Sequence, residues 1–409
     1  MNTPNYKKTR ISCFFTYLAV SSVFVLPPML FVTFNEEYGI SYTLLGTLVL
    51  INFCTQMIID LIFTFFSRHF NIKLTIRIMP LLTSLGLLCY ALLPKLLPQY
   101  AYVGLASGTV IFSVSAGLCE VLISPLVSAI PSETPERDMS MLHSLYGWGV
   151  VTNVIIASIF FAVFGTKNWT YLALFLAALP LIASLLFFTS PIPVMDVGSS
   201  EKGSKNRGKG LLLCAICIFL GSAAENSMTN WISSFMENAL QVPKAVGDIL
   251  GLAVFALLLA GTRSVYAKFT PDITKTLLVS MLGATVCYLV TGLSPNVILS
   301  FLSCIFLGIF TAMLWPGTLI LMEERVPSPG VAAFALMAAC GDMGASVAPQ
   351  LLGIIVDKVS ESDYAVSLSI SSAITTEEIG LKLGMLVISA FPILGTILLL
   401  YIMKTKRKA

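Results

Sequence analysis

Apolar runs of about 20 residues or more recur along the whole chain, each long enough for an α-helix to cross the roughly 30 Å of a bilayer's hydrocarbon. Short clusters of Gly, Pro, Asn and charged residues separate them. Backbone polar groups find no water at that depth, so each run must satisfy its own N–H and C=O groups, and helix is the open-ended way to do so. The pattern predicts twelve membrane-spanning helices, at about residues 11–34, 42–66, 74–93, 100–130, 139–165, 170–191, 211–236, 246–268, 276–293, 297–323, 331–357 and 382–403. One connection is long and polar. Ile192–Gly210 is rich in Gly, Ser and Lys and follows the sixth span. Such a composition makes a flexible linker, so the expected organisation is a six-helix bundle over residues 1–191, a linker over 192–210 and a second six-helix bundle over 211–409.

Composition agrees with this reading. Of 409 residues, 56% are hydrophobic and 11% charged, and the mean hydropathy is +0.89, against roughly 25% charged in a soluble domain. The fold class is therefore an all-α polytopic membrane protein. The short polar N-terminus precedes an apolar segment without a small-residue cleavage site, so that segment is expected to remain as the first span. Net charge is only +3, and no feature points to nucleic acid. The distribution of Lys and Arg says more than the total: the loops opposite the termini hold only Lys95, Lys167, Lys244, Lys358 and Lys382 of the 24. Basic loops stay inside. Both termini are expected in the cytoplasm, with the chain a monomer in the cell (inner) membrane.

Hydrolytic and metal chemistry have no motif here. There is no Walker sequence, no Gly-x-Ser-x-Gly and no His-rich ligand spacing, so no enzyme activity, metal or cofactor is expected. The nine Cys lie in apolar segments, and the Cys214/Cys217 pair sits inside a predicted helix, where packed free thiols are the simpler reading. What remains is ion-coupled or facilitated transport of a small-molecule substrate through the lipid bilayer.

The candidate chemistry lies in the few polar residues at membrane depth. An ionisable group there costs about 2.5–3.5 kcal/mol on insertion scales, so it normally faces a cavity and acts in it. On the fourth span, Ser113, Glu120, Ser124 and Ser128 fall near one helical face. Glu120 is the leading candidate for carrying a proton, held when its surroundings are dry and released when water or a cation arrives. Glu225, on a seventh span striped with Ser222, Asn226, Thr229 and Ser233, and Asp342, on an eleventh span with Ser346, Pro349, Gln350 and Gly353, are its candidate partners. Asn226, Asn230, Trp231, His143, Trp315 and Gln350 are candidate substrate-binding residues, with a gate contact also open to His143 and plain packing or an interface anchor to the two Trp. Asp60, Arg77 and Arg263, toward the cytoplasmic ends of their helices, suit ion pairs that gate one side of an alternating-access cycle. Pro27 and Pro28 predict a kink in the first span, and Pro316 predicts an opened helix ladder after Trp315.

The two halves echo one another. Gly117 and Pro125 on the fourth span recur as Gly308 and Pro316 on the tenth at a constant offset, and Thr311 stands where Glu120 stands in the first half. Parallel repeats about an axis along the membrane normal are a recurrent transporter design. The asymmetry puts the titratable group in the N-terminal half.

Two six-span halves joined by a basic linker resemble the major facilitator superfamily over essentially the whole chain. Ser67-Arg68-His69-Phe70-Asn71-Ile72-Lys73 resembles its signature between spans two and three, with Ser67 where Asp is usual and no Gly, and Gly261-Thr262-Arg263 before Lys268 resembles the weaker counterpart in the second half. Gly117-Leu-Cys-Glu120-Val-Leu-Ile-Ser124-Pro125 is similar to the Glu-x-x-x-Asn-Pro element of the fucose–proton symporter subfamily, with Ser124 in place of Asn. Gly308-Ile-Phe310 and Trp315-Pro316 resemble that subfamily's element on span ten. The resemblance implies proton-coupled symport of a small sugar with Glu120 in coupling. It departs in one respect: residues 11–34 hold no acid, so the subfamily's two-acid mechanism does not carry over. Two other readings keep the scaffold, namely a proton-coupled antiporter exporting an amphipathic or cationic compound, and a non-transporting solute sensor.

Overall fold

Runs that must satisfy their own backbone become helices, and the computed structural model shows nothing else of regular structure among the residues it describes, which are 6–66, 69–133, 135–193, 207–269, 271–326, 331–371 and 374–406. Arg68, Pro327 and most of the Ile192–Gly210 linker lie outside these. Twelve helical segments among the described residues are long and apolar enough to cross a membrane: Lys7–Met29, Tyr42–Phe63, Ile72–Leu96, Pro98–Ile123, Leu145–Phe164, Thr166–Phe188, Gly208–Ala239, Lys244–Tyr266, Ile273–Leu293, Val297–Met322, Leu336–Ser360 and Thr376–Lys404. The protein is a multi-pass membrane protein. Its spans match the expected ones in number and order, with ends that differ by several residues.

Proline shapes two spans as its chemistry requires. In the first, Pro27 and Pro28 close the helix Ser22–Met29, and a new helix, Phe31–Tyr38, begins after Leu30. A second interruption, at Ser21, separates Lys7–Val20 from Ser22–Met29. The tenth span breaks into Val297–Thr311 and Pro316–Arg325, with Pro316 opening the second piece.

By contacts the chain divides into one unit of residues 1–33 with 54–199 and another of residues 34–53 with 200–409. In the first unit the third and fourth spans cross closely because glycines face the contact. A Cβ on Gly108 would lie 2.6 Å from the Tyr90 nitrogen, and one on Gly86 2.5 Å from that of Phe112. Small residues let backbones approach where no hydrophobic effect drives helices together. Polar atoms then meet across the seam, where Thr83 donates to Ser115 Oγ at 2.7 Å, and on the sixth span, where the Ala177 carbonyl accepts from Ser84 at 2.6 Å. The buried ring of Tyr90 lies edge-on to Trp169 with centroids 6.1 Å apart.

The second unit includes the start of the second span, helix Tyr42–Phe66. Its first backbone N–H groups have no partner within the helix. Asp357 supplies one, accepting from Tyr42 N at 3.0 Å and Thr43 N at 2.6 Å. Two further contacts hold the same helix start. Gly353 has no side chain to clash with the Tyr42 carbonyl, and Asn238 Nδ2 donates to the Tyr42 hydroxyl at 2.7 Å. A capping carboxylate here also meets the positive end of the helix dipole.

Gly108→Leu should lower the unfolding temperature of the purified protein in detergent, because forcing side-chain volume into a closed crossing costs about 1–3 kcal/mol. Gly261→Ala, where an added Cβ meets nothing within 4 Å, is the control and should not lower it. Asp357→Ala removes the acceptor for two amides, a loss of about 1 kcal/mol for a helix cap. Hydrogen exchange at Tyr42 and Thr43 should speed up, while exchange at the buried crossing of the third and fourth spans should not change.

Candidate functional site

In the first unit the fourth span reaches the second through Gly117. A Cβ there would sit 3.1 Å from Ile59 Cβ and 3.2 Å from the Gln56 Cα, so only glycine fits without displacement. One helical turn along each partner stand two carboxylates, Asp60 after Gln56 and Glu120 after Gly117. Their oxygens lie within 4.8 Å of each other. Asp60 is 4% exposed, whereas Glu120 is exposed. Two full charges at that separation repel by about 3–4 kcal/mol at an effective dielectric of about 20. One shared proton removes most of this. The sequence placed Asp60 at a gate; the structure stands it beside Glu120.

Arg77, the expected gate cation, is held by its backbone, with its carbonyl accepting from Ser184 at 2.6 Å. Its Nε is buried with no hydrogen-bond partner among the described residues. An ion pair in the same unit joins Arg10 to Asp138 at 3.0 Å. His143 lies on helix Pro135–Phe164, and its side chain falls outside the described residues.

In the second unit the polar stripe of the seventh span largely bonds to its own helix. Asn226 Nδ2 donates to the Ser222 carbonyl and hydroxyl, both at 3.1 Å, Thr229 donates to the Glu225 carbonyl at 2.9 Å, and Asn230 Nδ2 donates to the Asn226 carbonyl at 2.8 Å. Back-bonding of this kind satisfies short polar side chains inside a helix. Trp231 is fully buried, its indole N–H donating to the Pro349 carbonyl at 3.1 Å and its ring 5.8 Å from that of Tyr42. As placed it has no open face on which a sugar ring could stack. Pro349 lies inside the helix Val331–Ser360 of the eleventh span.

Glu225 is salted to Arg263 of the eighth span, Oε1 to Nη2 at 3.1 Å. The same guanidinium donates from Nε to the Ala312 carbonyl at 2.8 Å. Ala312 is four residues before Pro316, so its carbonyl is the one left without a helix donor by the missing proline N–H. Arg263 fills that place. Asp342 is 4% exposed, on a helix whose glycines press it against its neighbours: Gly341 faces the Trp315 ring, and Gly344 faces the Phe219 carbonyl. Gln350 lies against Gly46, with its Oε1 buried and without a hydrogen-bond partner among the described residues.

One ionic cluster escaped the sequence reading. At the corner of the seventh and eighth spans, two π-helical stretches, Phe235–Ala239 and Gly247–Ala253, flank Lys244. Lys244 reaches Glu237 at 3.3 Å and Asp248 at 3.6 Å, and Ser233 donates to the buried Asp248. The signal in the sequence is a Lys and an Asp four apart at the head of a predicted span, a spacing that pairs charges once the residues are helical.

The Major Facilitator Superfamily profile matches residues 11–349. No curated protein matches the chain significantly. Among solved structures, it is similar to a bacterial homologue of the human lysosomal transporter Spinster, in an inward-facing and occupied conformation, with TM-score 0.73, 12% identity and coverage of 99% of this chain and 98% of that one. A D-xylose–proton symporter aligns with TM-score 0.74 and 13% identity over 95% and 97%. A POT family transporter in complex with 5-aminolevulinic acid gives TM-score 0.74 and 13% identity over 100% and 97%. At such identities the likeness is one of fold. With twelve spans in the fold of known transporters and the family profile running from the first span into the eleventh, the chain belongs to the Major Facilitator Superfamily.

Proposed function

We propose that the protein is a secondary active transporter of the cell membrane that couples the movement of a small polar solute, a sugar or a similarly hydroxylated compound, to protons by alternating access. The observation that carries this reading is the Asp60–Glu120 pair, two carboxylates within 4.8 Å at membrane depth, one buried and one exposed. Like charges that close favour a single bound proton. The exposed Glu120 exchanges that proton with water, while Asp60 raises the cost of leaving Glu120 ionised when the site closes. Solute binding and proton binding are then linked through one neutralised pair. The motif likeness to the fucose–proton symporter subfamily supports symport, and the D-xylose–proton symporter among the structural relatives supports a sugar. Termini in the cytoplasm follow from the Lys and Arg distribution.

The second acid is thus Asp60 of the same unit. Glu225 is neutralised by Arg263, and the reading asks no proton transfer of it. Asn226, Asn230, Gln350 and Trp315 remain proposed solute contacts, His143 a gate contact, and Asp342 a further candidate coupling acid.

Proteoliposome uptake with an imposed pH gradient tests the coupling. Glu120→Gln is expected to abolish accumulation above equilibrium while leaving solute counterflow in place; normal concentration of solute by that variant would remove Glu120 from the mechanism. Asp60→Asn should retain exchange and weaken gradient-driven accumulation. If Asp60→Asn accumulates solute as the wild type does, the pair is not the coupling unit.

A further inference from the structure

Arg263 is a cation within a membrane span, and three of its features belong together. Its Nε is fixed on the Ala312 carbonyl at 2.8 Å, one Nη2 hydrogen is fixed on Glu225 at 3.1 Å, and its side chain is still 37% exposed. A guanidinium carries five N–H donors in a rigid fork. With two engaged, three N–H bonds remain, two on Nη1 and one on Nη2. An exposed guanidinium edge does not face lipid; such groups face the bundle interior or a water-filled space. The two anchors come from different elements, Glu225 from the seventh span and Ala312 from the break in the tenth, so the orientation of the free edge is set before any solute arrives.

We infer that this edge of Arg263 is the solute-binding element that selects neutral, hydroxyl-bearing compounds, with Glu225 as the positioning residue that makes it do so. This rests on the transport reading above and assigns the residues that select its substrate class against acids. Glu225 is 15% exposed and cancels the guanidinium charge at hydrogen-bond distance. What faces the solute is an array of oriented donors without net charge. Sugar hydroxyl oxygens accept from such an array. A carboxylate meets the same donors but also Glu225, whose second oxygen, Oε2, is buried with no hydrogen-bond partner among the described residues and so keeps its negative charge local. Specificity here is the difference between two affinities, and the repulsive element against acids is Glu225.

The test uses uptake kinetics in proteoliposomes with xylose, glucose and galactose as neutral probes, and glucuronate and galacturonate as the matched acids. Wild type should prefer the neutral sugars. Arg263→Gln should raise KM for a transported neutral sugar about ten-fold with kcat little changed, as expected for loss of a hydrogen bond to a charged donor. Arg263→Lys should not restore KM, because one ammonium cannot occupy the Ala312, Glu225 and solute positions of the fork. Glu225→Gln leaves Arg263 as a net cation and should move the acid-to-neutral preference about ten-fold toward the uronate. Should Arg263→Gln fold poorly, the double variant Arg263→Gln/Glu225→Gln, which leaves no lone charge, should show the raised KM with no shift toward uronates. Unchanged preference in Glu225→Gln, unchanged KM in Arg263→Gln or the double variant, or a wild type that transports none of the neutral probes would each overturn the inference. Proton coupling is read separately from Glu120→Gln, so the sugar class can fail while coupling stands, and coupling can fail while the preference switch stands.

Discussion

Hydrocarbon offers no partner to a polar group, and that single constraint organises this protein from backbone to site. It makes every long run a helix, and it makes each departure from helix conspicuous, because a carbonyl freed at depth has to be met by something. Pro316 frees the Ala312 carbonyl and Arg263 meets it. The first N–H groups of the second span emerge without helix partners, and Asp357 meets two of them. Charged residues within the spans and at their ends therefore serve as backbone partners as well as candidate chemistry.

Close helix approach is the other half of the design. Apolar side chains gain little by leaving lipid for protein, so contact is won by small residues that let backbones touch. Gly86 and Gly108 do this in one crossing, Gly344 against Phe219 of the seventh span in another, and Gly117 against Gln56 and Ile59 beside the proposed coupling pair. A side chain at 117 would make Gln56 and Ile59 give by a few tenths of an ångström in the contact next to Asp60 and Glu120.

Much of the fold was legible in the sequence because hydropathy and length report directly on membrane spans; the twelve segments and the breaks at Pro27–Pro28 and Pro316 follow from local chemistry alone. The depth and rarity of Glu120 also marked it. Its neighbour was harder to see. Asp60 is distant in sequence, and pairing it with Glu120 requires the register in which Gly117 lands on Gln56, which periodicity within one helix cannot supply. The same holds for Glu225, whose partner Arg263 lies on another span, and for Trp231, an aromatic on a polar stripe whose N–H is taken by the Pro349 carbonyl of another span. Helical spacing shows which side chains share a face; it does not show which helix that face meets.

Coupling as proposed rests on one proton shared by Asp60 and Glu120. The most direct measurement is solute-induced proton movement across proteoliposomes loaded with a pH-sensitive dye, with solute flux recorded in parallel. Wild type is predicted to move protons in fixed ratio to solute, and Glu120→Gln to move solute in exchange with no accompanying proton. Proton movement in Glu120→Gln at the wild-type ratio would contradict it.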